Sequence, residues 1–446
     1  MAEGKQAARV TGEVKGKRSG KRLLNSIANF RFDSLTFYYV ALGLFYVKGF
    51  PSETTLNGAG WISVMAKCIT YVTLLLLVLK LLTQTYTPRE IVLIGVFGFI
   101  TLLAYWRCRV QTLVFLYLFI VAAKDINIKV LAEEIFVLTI LCVGAIMVLT
   151  QIGVLEPYTE YVTSESRSYF WSAGNTIYLW AFRHHNFLGR RVLIACMSYV
   201  IIRYDKFKSW DYVVLVLLFW FCYFPIKSRT SALIILLIAA LVFLFKFLNL
   251  LEDRVQNGIA RVIVYALMVF SPIFSVIVCV NYDSMSSFYV ELNEMLTGRI
   301  KYAHTVYENY GFSVFGQYVE IINTATAEKK GGTITIFDNA YMHMFVRFGF
   351  VFGLLLFSGY LLSAKVALDN RDYGIALLIA AFAFCGISET WLYDISACPF
   401  PILASLALYN QWKRVPESSP PEGILPKRER AVGIRGEMSG APSYQN

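Results

Sequence analysis

Residues 231–251 read SALIILLIAALVFLFKFLNLL, with Lys246 the only charge in the run. At 1.5 Å per residue a helix of that length rises about 30 Å, the depth of a bilayer's hydrocarbon core, and it satisfies its own backbone amides and carbonyls where lipid cannot. Residues 60–82, GWISVMAKCITYVTLLLLVLKLL, repeat the pattern. Further apolar runs lie near 34–50, 90–106, 109–123, 130–154, 180–202, 210–226, 259–280, 338–364, 373–391 and 397–412, which predicts about ten to twelve spans. The whole chain is 57% hydrophobic and 16% charged, with a mean hydropathy of +0.56. A soluble domain averages about 45–50% apolar and about 25% charged residues. An ordinary water-soluble fold is excluded, and the chain reads as an all-α polytopic integral membrane protein.

The formal net charge of +11 is unevenly spread. Lys5, Arg9, Lys15, Lys17, Arg18, Lys21, Arg22 and Arg31 precede the first apolar run, so residues 1–33 form a basic tail. The anionic cytoplasmic leaflet attracts each such residue by about 1 kcal/mol, and beside a membrane body the tail suits lipid rather than nucleic acid. No small-residue cleavage site follows the first run, so a removable signal peptide is not expected. With the N terminus inside, the loops carrying Lys80 and Arg89, Lys124 and Lys129, Arg203 to Lys208, Lys246 to Arg261, and Lys365 and Arg371 are cytoplasmic. Together with both tails they hold about 26 of the 41 basic residues, as the positive-inside rule requires. Both termini are therefore expected in the cytoplasm, flanking a transmembrane domain of residues 34–412. Residues 413–446, rich in Pro, Gly and Ser, are expected to be disordered. The eight cysteines fall mostly inside apolar runs without a Cys-x-x-Cys pair, the pattern of small buried hydrophobes. No internal repeat is visible, which weighs against an inverted-repeat transporter.

In this topology two outer segments are long, 155–179 and 281–337. The second is too rich in Tyr, Phe, Ile and Val for a linker, and Ile300, Ala303, Tyr307 and Tyr310 fall at helical spacing. It is expected to fold as a cap with a short helix. Seven of the eight tryptophans, Trp61, Trp106, Trp171, Trp180, Trp210, Trp391 and Trp412, sit near span ends and read as an interfacial belt.

The exceptions to the charge rule are informative. Arg107, Arg109, Arg183, Arg190, Arg191, Lys227, Arg229, Arg299 and Lys301 all fall at the outer face or in outer ends of spans. An arginine within a span costs about 2.5–3.5 kcal/mol on insertion scales, so such residues meet a polar cavity, an ion-pair partner or an anion. Arginine donates to phosphate oxygens in pairs, and the anion expected at an outer membrane face is a diphosphate carried on a long isoprenoid.

Three local sequences carry these residues: Lys227-Ser228-Arg229-Thr230-Ser231, Leu296-Thr297-Gly298-Arg299, and Asp338-Asn339-Ala340-Tyr341 followed by Arg347-Phe348-Gly349-Phe350-Val351-Phe352-Gly353. In that order, with the long loop before the last, they resemble the Wzy-type polysaccharide polymerases and the related O-antigen ligases over about residues 130–412. Arg183-His184-His185-Asn186 also looks like that family's His-x-Asn element. The resemblance implies a glycosyltransferase of the GT-C-like architecture in the bacterial cytoplasmic membrane. It would extend polyprenyl (undecaprenyl) diphosphate-linked oligosaccharide units into a capsule, exopolysaccharide or O-antigen chain, inverting and without a metal or other cofactor. A chain-length regulator and a flippase are the partner proteins it implies, beside the lipid bilayer.

Arg229, Arg299 and Arg183 are the diphosphate ligands expected on this basis. No Asp-x-Asp occurs and the first outer loop, Pro51 to Gly60, holds only Glu53, which argues against a metal held by paired carboxylates. Asp338, where the related ligases carry a histidine, is the first candidate base and His185 the second. An Asp before a helix also caps free amides. Asn186, Tyr341, Glu389 and His304 are the candidate contacts to sugar or acceptor, while His343 is expected to pack in the core. Two alternatives stay open: a ligase that moves finished glycan, and a transporter of lipid-linked oligosaccharide.

Overall fold

The computed structural model describes residues 34–161, 176–322 and 335–409; the tails 1–33 and 413–446, with Trp171 and Trp412, lie outside these residues. The described residues belong to one compact unit. Helices α1 (Ser34–Val47), α2 (Gly60–Leu82), α3 (Pro88–Cys108), α4 (Thr112–Ala122) and α5 (Ile128–Gln151) precede a two-stranded hairpin, β1 (Thr159–Tyr161) and β2 (Thr176–Tyr178). Then come α6 (His185–Arg203), α7 (Ser209–Tyr223), α8 (Arg229–Leu248) and α9 (Asp253–Val280). Helices α10 (Ser287–Met295) and α11 (Arg299–Tyr310) form the cap, and α12 (Phe350–Asp369) and α13 (Tyr373–Cys385) return to the bundle. α1 packs on α2 and α5, α5 on α6, and α8 on α6, α7 and α13.

Among the described residues six helices, α2, α3, α5, α8, α9 and α12, are long and apolar enough to cross a membrane. Their outward faces expose Leu75, Val92, Phe99, Leu141, Leu236 and Phe243. Stripes of that kind would drive association in water, but in a bilayer they are the lipid face. The protein is an all-α, membrane-embedded chain.

The other expected spans differ for physical reasons. α4, α7 and α13 are shorter apolar helices; all of α13 except Phe384 is buried, so it is apolar all round because it is core, and its rise of about 20 Å suits an interior helix. The expected run 180–202 becomes helical only at His185, and its Arg190 and Arg191 are committed to an ion pair with Glu53. Run 338–364 is broken by a π-helical turn, Met344–Phe348, followed by Gly349 at φ 97°. A Cβ at Gly349 would run into the backbone of residues 314–316, so that position accepts no larger residue.

The cap rests on its own apolar cluster: Ile300, Ala303 and Val306 of α11 pack with Val278 and Cys279 at the end of α9 and with Val319, Phe337, Met342 and Val346. The hairpin has no counterpart in the sequence reading. Trp61, Trp106 and Trp210 are exposed near helix ends, as a belt requires, whereas Trp391 is buried and donates its Nε1 hydrogen to Glu389 Oε2 over 2.8 Å.

Candidate functional site

Three helix starts converge on a cavity of about 210 Å³ lined by His184, His185, Asn186, Lys227, Arg229, Thr230, Thr297, Arg299 and Asp338. One water needs about 10–15 Å³ on that scale, so a polyatomic ligand fits.

The chain reaches this geometry by local devices. α6 carries Gly189 against Ser228; a Cβ there would collide with the Oγ and Cβ of Ser228, so glycine is what lets the start of α8 lie beside the start of α6. Ser228 Oγ donates to Asn186 Oδ1 over 3.1 Å, fastening the two helices beside the cavity. Lys227 and Thr297, each two residues before a cavity arginine, hold left-handed backbone at φ 58°. For non-glycine residues this costs on the order of 1–3 kcal/mol each, and such strain gathers at functional sites. Neither Ser228 nor Gly298 caps its helix through a side chain. The positive ends of the α8 and α11 dipoles add to the cationic field of Lys227, Arg229 and Arg299, although in α11 the Arg299 amide donates to the Leu296 carbonyl and the Lys301 amide to Asn293 Oδ1.

Asp338 supplies the carboxylate. The N-cap of the short helix Ala340–His343 is not Asp338 but Asn339, whose Oδ1 accepts from the amides of Tyr341 and Met342, both at 3.0 Å. Asn339 Nδ2 also donates to the Ile387 carbonyl over 2.9 Å. The capping work expected of Asp338 is thus done one residue later, and Asp338 is left on the cavity wall. Burial pushes its carboxyl above the usual carboxylate range; Arg299 opposes that shift and Glu389 reinforces it.

His185, Asn186, Arg229, Arg299 and Asp338 are therefore brought together. Four other expected site residues are not on this wall. Glu389 stands behind it as the counter-ion of Arg299, Oε1 to Nη1 at 3.1 Å, with both side chains mostly buried. Tyr341 is fully buried and donates to the Ala383 carbonyl over 2.6 Å, which makes it a packing residue rather than a sugar contact. His304 bonds the Cys279 carbonyl through Nδ1 at 2.9 Å and fastens the cap to α9. Arg183 is exposed, with its backbone amide donating to the Glu53 carbonyl.

Arg190, Arg191 and Arg107 are bonded within the protein. Arg191, fully buried, donates to both Glu53 carboxylate oxygens at 2.9 and 2.6 Å and lies over the Phe50 and Tyr46 rings, and Arg190 shares the same carboxylate. Arg107 donates to the Gly316 carbonyl, and Arg109 ends α3 in left-handed conformation. Buried His343 bonds Tyr393 and Arg347 within the packed interior.

Sequence reasoning passed over Lys227 as a site residue, although it adjoins the motif, and it missed Glu160. The Oε2 atom of Glu160 lies 2.8 Å from His185 Nδ1. Glu160, His184 and His185 could each offer an atom to a metal ion, the three lying within 4.8 Å of one another. However, His184 Nδ1 accepts the Asn186 amide hydrogen as the cap of α6, which places the ring's proton on Nε2, and the two imidazoles stack at 4.2 Å. That arrangement favours hydrogen bonding over shared coordination.

Fold and cavity together define a membrane-embedded, predominantly helical protein with a cationic pocket that also bears a carboxylate. No protein-family model matches the chain, and no curated protein and no solved structure match it.

Proposed function

We propose that the protein is a membrane glycosyltransferase that joins polyprenyl diphosphate-linked oligosaccharide units into a bacterial surface polysaccharide at the outer face of the cytoplasmic membrane. The observation that carries this is the meeting of Arg229 and Arg299 with Lys227, Asp338 and His185 on one cavity. Three cations and two helix starts suit a diphosphate, and the carboxylate and imidazole beside them suit a hydroxyl that must lose a proton. The acceptor oxygen forms a bond to the anomeric carbon as the bond from that carbon to the diphosphate breaks. The electron pair leaves with the diphosphate, and the hydroxyl proton passes to a base on the wall. Arg299 contacts Glu389 through one nitrogen only, not as a bidentate fork, so its guanidinium keeps donors to offer a phosphate.

The test is genetic. A strain lacking the protein should accumulate single repeat units on the carrier, and an Arg229→Gln/Arg299→Gln variant should reproduce that state. Long polymer retained on the carrier would identify a ligase instead, and intact polymer with unaltered carrier intermediates would refute the transferase reading.

A further inference from the structure

We propose that Glu160 is the positioning carboxylate of a glutamate–histidine pair in which His185 takes the proton from the attacking hydroxyl. This rests on the glycosyl-transfer reading above and assigns its base.

The hairpin explains how Glu160 arrives. β1 and β2 pair antiparallel, with Glu160 opposite Ile177; Ile177 is buried and anchors the hairpin in the core. Glu160 Oε2 then meets both His185 Nδ1, at 2.8 Å, and the His185 amide, at 3.4 Å. A carboxylate on Nδ1 fixes the ring proton there, so the lone pair resides on Nε2, the arrangement of a histidine base oriented by an acid. The His184 ring, stacked on His185 at 28°, limits its tilt. His185 itself is buried and lines the cavity.

Charge decides between His185 and Asp338. Asp338 is close enough to Arg299 to feel its charge. A carboxylate there meets the diphosphate's own negative charge. A neutral imidazole does not repel the donor, and the imidazolium formed in the reaction gains Glu160 on one side and the departing diphosphate on the other. Asp338 then accepts hydrogen bonds from sugar hydroxyls. Among the described residues, the ionisable groups around His185 include Glu160 on β1, His184 beside it, and Lys227, Arg229, Arg299 and Asp338 on the cavity wall.

The experiment uses the full chain in lipid nanodiscs, undecaprenyl diphosphate as the binding probe, and the lipid-linked repeat extracted from the source strain lacking the gene. His185→Gln should lower the extension rate about 10²–10⁴-fold, more than Asp338→Asn, with undecaprenyl diphosphate still bound. Glu160→Gln should lower the rate and move the acid limb of its pH profile to lower pH, because the ring no longer has a carboxylate favouring its protonated form; Glu160→Asp should restore part of the rate. Extension by His185→Gln at the wild-type rate would overturn the proposal, as would a slowed Glu160→Gln whose acid limb stays in place. A wild type that binds the probe but extends nothing would overturn the transferase reading itself, and the pair with it.

Discussion

At the scale of the residue, the cavity is a contest between charges that the fold must hold together. Arg299 is mostly buried and so is Glu389; replacing Arg299 alone leaves a buried acid without its partner, which costs about 3–5 kcal/mol when such pairs are broken. Arg299→Ala is therefore expected to lose both stability and diphosphate binding. Arg299→Met with Glu389→Leu should regain the stability, read as melting temperature, without regaining the binding. Asp338 behaves in the opposite sense. Burial raises the proton affinity of its carboxyl in the fold, so the ionised form weighs on stability at neutral pH, and that burden fades as pH falls through the raised value and is gone below the ordinary carboxylate value of about 4. Asp338→Asn should melt at or above wild type at pH 7, the gap closing near pH 4, while polymer extension falls. A variant that melts lower at pH 7 would contradict this placement of the carboxyl.

At the scale of the element, the site depends on helix starts. The close approach of α6 and α8 at Gly189 sets the distance between His185 and Arg229. Gly189→Ala forces the new methyl onto Ser228 and is expected to cost about 1–3 kcal/mol and most of the activity; adding Ser228→Gly should recover the stability in a thermal melt. How much of this was legible in sequence follows from the same physics. Apolar helices wetted by lipid, such as α2 and α8, announce themselves because each residue answers to one solvent. α6 does not, since Arg191 is satisfied by Glu53, 138 positions away in the chain, and no local pattern carries that pairing. The hairpin strands are three residues each, too short for a period, so Glu160 gave no signal. Asp338 and Asn339 are both good caps, and only backbone geometry shows that Asn339 is the one used.

At the scale of the whole molecule, exposed apolar faces on six long helices describe a body solvated by lipid, and the proposed function requires the cavity to open on the outer side. A single cysteine at Lys301, exposed on the cap helix, is expected to react with a membrane-impermeant maleimide added to whole spheroplasts; protection until lysis would reverse the orientation. The central claim, that the cationic cavity grips a carrier diphosphate while sugar is transferred, is tested most directly by supplying the purified protein with the lipid-linked repeat and a chelator and resolving the products by size. A ladder of carrier-linked oligomers that persists with the chelator and vanishes in the Arg229→Gln/Arg299→Gln variant is the expected result. A single unextended band from wild type, or an unchanged ladder from the variant, would contradict the account.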